Sequence, residues 1–354
     1  MDQILIHSNL YDYEVNFVDG FTEKLLDFTD TTAYVIDEKV YSLYEENFRN
    51  LNRKNIFFIK AIENEKNMET VMNLIAFFQD IGVRKNWKVV CFGGGISQDI
   101  TTMASNLFLR NVDWYFFPTT LLSMCDSCIG GKCGINYRHV KNQLGVFFPP
   151  KKIFIDIHFL DTLTHGDYVN GWGELLKFSL TNGTLFYEEI RKEKKLIPCP
   201  NIAHYIHKGL SVKKAVIEAD EFESDLRRVL NYGHSFGHAL EGYTENRIPH
   251  GMAVIWGIDI ANFLAVREGL IDKVYAMDIK KFIKETFLTE EIIVKDPEKL
   301  FTYLKLDKKV RGNILSFALL DKPSHLVVHP ITIDNKLLEE FREYLRDTHA
   351  FYNA

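Results

Sequence analysis

Short apolar runs rich in aromatic and β-branched residues recur through the first 160 positions: "AYVID" at 33–37, "NIFFIK" at 55–60, "WKVVCF" at 87–92, "DWYFFP" at 113–118 and "KKIFIDI" at 151–157. Runs that are apolar nearly throughout, rather than alternating, read as strands buried on both faces. Helical patterns fall between them, at 67–82 and 97–109. Strands spaced by helices predict a parallel sheet in an α/β domain covering residues 1–160. The texture then changes. Long helical patterns at 169–181, 201–219, 230–243, 250–269, 272–286 and 335–348 predict a helical domain over 161–354.

Composition narrows the class without naming a function. A chain of 354 residues, 46% hydrophobic and 25% charged, carries enough apolar material for two cores. A formal net charge of -6 offers little to nucleic-acid phosphates, and the basic run at 191–195, interrupted by Glu193, reads as a solvated helix end. The apolar stretch "AVIWGIDIANFLAV" is too short to span a bilayer and contains Asp259, so no membrane association is expected. The opening residues lack a basic start and a sustained apolar core, so a cytoplasmic location is expected. Five cysteines fit that compartment. "CDSC" at 125–128 has no second pair to complete a zinc site, and the glycines that follow it do not open a helix as a redox motif requires.

Candidate chemistry begins where "WKVVCF" runs into Gly93, Gly94 and Gly95 and then a helical pattern. Adjacent glycines let a pyrophosphate approach the backbone, and the helix start offers N–H donors, so this turn is a candidate dinucleotide site. Farther on, Asp126, Lys132, Lys141 and Asn142 lie among glycines and hydroxyl residues, a density of polar groups suited to phosphate or hydroxyl recognition. In "GWGELLKFSL", Glu174 and Lys177 share a helix face within an apolar segment, where a buried carboxylate and ammonium need partners. "LNYGHSFGHALE" places His234 and His238 at i and i+4, and His250 follows in "RIPHG". Several histidines with a carboxylate upstream point to a metal site. Three N and O ligands would leave a coordination position open, as catalytic zinc requires.

In order along the chain, "GGGISQD", "PTTLLSMCDSCIGGKCGIN", "KNQLG", "GELLK", "ADEFESDLRRVLNYGHSFGHALE" and "PHG" resemble the 3-dehydroquinate synthase family, within the wider sugar phosphate cyclases. The resemblance runs from about Glu63 to Lys309. It implies a Rossmann-like NAD-binding domain followed by a helical domain that binds metal and substrate. Glu174, His234 and His250 would hold zinc, with cobalt as an alternative. His238, Asn231, Lys132, Asn142 and Lys309 (or Lys308) would surround the substrate phosphate. Asp126 and Lys177 would meet ring hydroxyls, and Lys213 and Arg227 a substrate carboxylate. Asp37, Glu63, Lys66, Asp99, Thr119 and Thr120 match cofactor-contacting positions, to which Gly94, Gly95 and Lys141 are added. Arg110 matches an arginine that reaches a neighbouring subunit's site, which implies a homodimer.

The reaction so implied converts a seven-carbon 2-keto acid sugar phosphate (DAHP) to a carbocycle. NAD oxidises a secondary alcohol, the resulting ketone acidifies the neighbouring C–H, phosphate leaves by β-elimination, and the hydride returns before an aldol closure. This chain departs from the family at Gln98 and Asn111, where glycines are usual, at Asp225, again a glycine position, and at Met252, a glutamate position. Relatives acting on sedoheptulose 7-phosphate or another sugar phosphate are expected to differ around Arg227, Asn231 and His238, so a carboxylate-bearing substrate is favoured. A metal-dependent polyol dehydrogenase would release NADH and need fewer phosphate contacts. A non-catalytic descendant would be expected to lose metal ligands.

Overall fold

The structure, a computed structural model, describes residues 3–347 apart from 29, 139, 182, 246, 288–293 and 307–309. Lys308 and Lys309 therefore lie outside the described residues. The chain divides into two compact units, one of Met1–Thr164 with Ile202–Glu221 and the other of His165–Asn201 with Phe222–Ala354.

The first unit is built on a seven-stranded sheet. Its members are β1 (Gln3–Ile6), β2 (Tyr13–Val18), β3 (Thr32–Asp37), β4 (Ile56–Ile59), β5 (Lys88–Gly93) and β6 (Trp114–Pro118). A small hairpin of β7 (Ile135–Tyr137) and β8 (Val140–Leu144) stands apart, and β9 (Lys152–Asp156) returns to the sheet. The order is β1-β2-β9-β6-β5-β3-β4, parallel except for the antiparallel edge strand β1. The five apolar runs of the sequence thus become five strands of one parallel sheet, β3, β5, β6 and β9 inside it and β4 at its edge. Stacked rings on neighbouring strands bind it: Phe92 on Phe117 at 4.3 Å, and Phe117 on Phe154 at 4.8 Å. Such a pair contributes about 0.5–1.5 kcal/mol beyond its area burial.

This order has a functional consequence. From β3 the chain crosses to β4 on one side, then returns to β5, β6 and β9 on the other. The crevice at the carboxyl ends of β3 and β5 is therefore a topological switch point, where open α/β sheets bind their ligands. Asp37 ends β3 and Gly93 ends β5.

The second unit is mainly helical and holds the helices His165–Ser179, His234–Tyr243 and His250–Arg267. It also contains a long antiparallel hairpin of β10 (Ile314–Lys322) and β11 (His325–Thr332), which a purely helical expectation omits. Two further corrections concern boundaries. The helix Ile202–Ala219 belongs to the first unit, because its Lys213 pairs with Asp126 there, so a single division near residue 160 does not describe the chain. The pattern at 230–243 is not one helix: Gly233 adopts a left-handed φ of 76°, ending a short turn Leu226–Asn231 and starting a new helix at His234. Among the described residues, no helix is long and apolar enough to cross a membrane. All five cysteines are buried and unpaired with one another.

Candidate active site

In the second unit, three side chains from separate helices converge. Glu174 lies on the helix His165–Ser179 and is fully buried, with the Lys177 ammonium against its Oε2. His250 Nε2 approaches Glu174 Oε1 at 3.1 Å, and His234 Nε2 approaches the same oxygen at 3.4 Å. Each imidazole is held from behind. His234 Nδ1 lies 3.1 Å from the Tyr232 carbonyl oxygen, and His250 Nδ1 lies 3.3 Å from Glu241 Oε2. Donating Nδ1–H to those acceptors fixes the tautomer that presents an Nε2 lone pair, as metal-binding histidines do. One ligand atom from each of Glu174, His234 and His250 lies within 4.8 Å of the others. A buried carboxylate with two oriented imidazoles suits a divalent ion of the zinc or cobalt kind.

The electrostatics couple the same three groups. Burial opposes the Glu174 charge, but Lys177 and His234 outweigh it and hold the carboxyl well below its usual range. Burial depresses the pKa of His234, against the pull of Glu174. Burial also opposes charge on His250, yet Glu174 and Glu241 push it up to about 10. Protein cations thus balance Glu174 where a metal ion would.

Close backbone contact between helices makes this convergence possible. A Cβ on Gly251 would run into the Asn170 carbonyl oxygen, and one on Gly173 into the Gly251 carbonyl oxygen. Gly251 N–H also donates to Asn170 Oδ1 at 2.5 Å. His250 and Glu174 flank this glycine contact, so it sets their separation. Gly251→Ala is expected to cost about 1–3 kcal/mol by overpacking, and to weaken metal retention as the helices part. Thermal melting and metal content of the purified variant check both effects.

His238 lies on the same helix as His234 but is exposed, its ring 5.4 Å from that of His234 and 5.8 Å from that of His250. His238, Glu241 and His250 form a second close group. Arg227 and Asn231 share the turn Leu226–Asn231, where Arg227 is buried and Asn231 donates to Glu223 Oε1 at 2.9 Å. Glu223 itself adopts a left-handed φ of 60°.

In the first unit, the switch-point crevice holds the glycine turn. A Cβ on Gly93 would lie 2.5 Å from both Ser97 Cβ and Oγ, and one on Gly94 would lie 3.2 Å from Thr120 Cγ2. Thr119 N–H donates to the Gly93 carbonyl at 3.0 Å, tying the end of β6 to the turn. No side chain caps the helix Gly95–Leu107 that follows, which suits a pyrophosphate on its first N–H groups. Asp37 accepts from Lys39 N–H at 2.8 Å, and burial pushes its carboxyl up. The tight turn and the adjacent carboxylate fit a dinucleotide.

Beside the turn lies a polar network. Lys66 Nζ is 2.6 Å from Asp99 Oδ2 and donates to Asn142 Oδ1 at 2.9 Å. Asn136 donates to Glu63 Oε1 at 2.8 Å and accepts from Asn142 N–H at 3.0 Å. Asn142, expected at a substrate phosphate with Lys132, Asn231 and His238, is thus joined to the cofactor-type residues Glu63, Lys66 and Asp99. Lys132 and Lys141 are exposed in the same unit. Lys213 Nζ lies 2.5 Å from Asp126 Oδ1 and donates to the Asp126 carbonyl at 2.7 Å. Asp126 pairs with Lys213 in the first unit, and Lys177 with Glu174 in the second. Arg110 is exposed, in a left-handed run from Leu109 to Asn111 whose carbonyls receive the Lys85 ammonium.

Sequence reasoning missed Asn136, Glu241 and Ser127. Glu241 had a signal, since His234, His238 and Glu241 fall at i, i+4 and i+7 on one helix face. Asn136 closes the polar stretch "PTTLLSMCDSCIGGKCGIN", but its partner Glu63 lies 73 positions away.

Comparison with known proteins places this geometry among relatives. The 3-dehydroquinate synthase N-terminal family model matches residues 56–170, and the 3-dehydroquinate synthase C-terminal model matches residues 171–310. The chain is 34% identical over 319 residues to the 3-dehydroquinate synthase of a Nitratiruptor species, covering 89% of this chain and 91% of that protein. It resembles the structure of ValA, 2-epi-5-epi-valiolone synthase from Streptomyces hygroscopicus subsp. jinggangensis 5008 with NAD+ and Zn2+ bound. The TM-score is 0.81 at 25% identity, over 94% of this chain and 97% of that one. A 2-deoxy-scyllo-inosose synthase complexed with carbaglucose-6-phosphate, NAD+ and Co2+ shares the fold with a TM-score of 0.87, at 22% identity over 96% and 99% of the two chains.

Proposed function

The chain belongs to the 3-dehydroquinate synthase family, and from that membership we propose that it converts a seven-carbon 2-keto acid sugar phosphate (DAHP) to a carbocycle with release of phosphate. The observation that carries the reading is the convergence of two oriented imidazole Nε2 atoms on one oxygen of buried Glu174. Glu174, His234 and His250 would hold zinc, or cobalt in its place, and NAD would lie on the turn at Gly93–Gly95 with Asp37 at its ribose. When bound, these groups supply reversible hydride acceptance from a secondary alcohol and Lewis-acid polarisation of its oxygen.

The chain's own residues orient the substrate and stabilise charge. Lys177, buried beside Glu174, and Asp126, paired with Lys213, are assigned to ring hydroxyls. Lys132, Asn231 and His238 are assigned to the phosphate, where cationic and amide donors stabilise the leaving group. Asn142, which accepts from Lys66, is assigned to the phosphate with them. Arg227 offers a planar fork for the carboxylate, and Lys213 adds a second positive charge. Glu63, Lys66, Asp99, Thr119, Thr120 and Lys141 are assigned to the cofactor side. Arg110 is assigned to the site of a second copy in a homodimer working in the cytoplasm.

Phosphate release from a panel of sugar phosphates, with NAD and zinc or cobalt supplied, tests this. The keto acid phosphate should be the best substrate. A preference for sedoheptulose 7-phosphate or glucose 6-phosphate would overturn the substrate and leave a cyclase of different specificity.

A further inference from the structure

Gln98 stands in the first turns of the helix Gly95–Leu107, 3% exposed, at a position where the family resemblance expects glycine. Both ends of its side-chain amide meet one residue. Nε2 donates to the Ser127 carbonyl at 2.7 Å, and Oε1 accepts from Ser127 Oγ–H at 2.6 Å. A flipped amide would set two carbonyl oxygens against each other, so the pairing fixes the orientation of both partners. Ser127 ends the wide turn Ser123–Ser127. Wide turns of this kind depart from the ordinary helical ladder and frequently mark functional sites. The preceding residue, Asp126, presents its carboxylate and its carbonyl to Lys213.

A glycine at 98 has no side chain to reach the turn. Gln98 therefore gives this chain a direct link between the helix that follows the glycine turn and the segment that carries Asp126. We propose that Gln98 is a positioning residue: through Ser127 it pins the Asp126 turn to the dinucleotide helix and sets the Asp126–Lys213 pair for the substrate. This rests on the assignment of Asp126 and Lys213 to substrate contacts. The two bonds of the link join Gln98 to Ser127 and involve no atom of Gly93–Gly95, so cofactor affinity should change far less than turnover.

Gln98→Met tests the inference, because methionine keeps the volume and apolar stem while removing both hydrogen bonds. Hydrogen exchange at residues 123–128 should accelerate roughly tenfold or more in that variant. With the keto acid phosphate, kcat should fall roughly 10- to 100-fold while the Kd for NAD changes far less, the signature of lost orientation. Ser127→Ala should show the same pattern, and the double variant should be no worse than the weaker single one, as partners in one interaction behave. Wild-type exchange and wild-type kcat in Gln98→Met would overturn the proposal, as would losses that add in the double variant. If the wild-type protein releases no phosphate from any sugar phosphate, the functional reading fails, and the exchange measurement still decides whether the link exists.

Discussion

His250→Ala is expected to empty the metal centre and abolish turnover while leaving the fold intact. The imidazole meets Glu174 through Nε2 and Glu241 through Nδ1, so alanine removes a ligand and its support together. A Lewis acid supplies several kcal/mol of transition-state stabilisation, which puts the loss at about 1000-fold or more. The fold should survive for two reasons. The His250 side chain is 30% exposed, so truncation leaves no sealed cavity, and Glu174 keeps Lys177 and His234 as partners. Glu174→Ala is a poorer probe, because it would strand the Lys177 ammonium, at a cost of about 3–5 kcal/mol for breaking a buried pair. Wild-type protein should hold about one divalent ion per chain and the variant almost none. Elemental analysis, turnover and near-ultraviolet circular dichroism on one preparation check all three expectations. Full activity in metal-free His250→Ala would remove the metal from the account.

Arg227→Ala should lower kcat/KM for the keto acid phosphate while sparing substrates without a carboxylate. A plain surface pairing does not describe this arginine, which is 5% exposed. Truncating one partner of a buried charged contact costs about 2–5 kcal/mol, or roughly 30- to 5000-fold in kcat/KM. Sedoheptulose 7-phosphate carries a hydroxymethyl group at that position, so its poorer turnover should change far less. Kinetics on both substrates, before and after the mutation, separate recognition of the carboxylate from support of the turn Leu226–Asn231. Equal losses on both would assign Arg227 to the turn.

Several of these features were legible in the sequence because they are local. The apolar runs at 33–37, 87–92 and 113–118 correspond to β3, β5 and β6, since a strand covered on both faces needs continuous apolar residues. The glycine turn could be read because its chemistry depends on the absence of side chains in consecutive positions. Glu174 and Lys177, three apart in an apolar segment, do form a buried pair. What escaped was long-range or ambiguous. "ILSFALLDK" in β10 is an apolar run that periodicity cannot tell from a buried helix, and it sits among helices. The helix Ile202–Ala219 reads alike whichever unit it joins, and contacts distant in sequence, such as Lys213 with Asp126 and His207 with Phe17, show where it packs. The same limit hid the contact of Asn142 with Lys66, whose partners lie 76 positions apart.

The central claim is that oxidation is transient, with the cofactor restored in every cycle. The most direct measurement supplies NAD at one equivalent per chain, with zinc or cobalt, excess keto acid phosphate and nothing able to reoxidise NADH. Inorganic phosphate and NADH absorbance are then followed together. The account predicts that phosphate accumulates to many times the amount of NAD present while the absorbance stays at baseline. NADH rising to one equivalent and stopping there, with no phosphate released, would contradict it and make the protein a dehydrogenase.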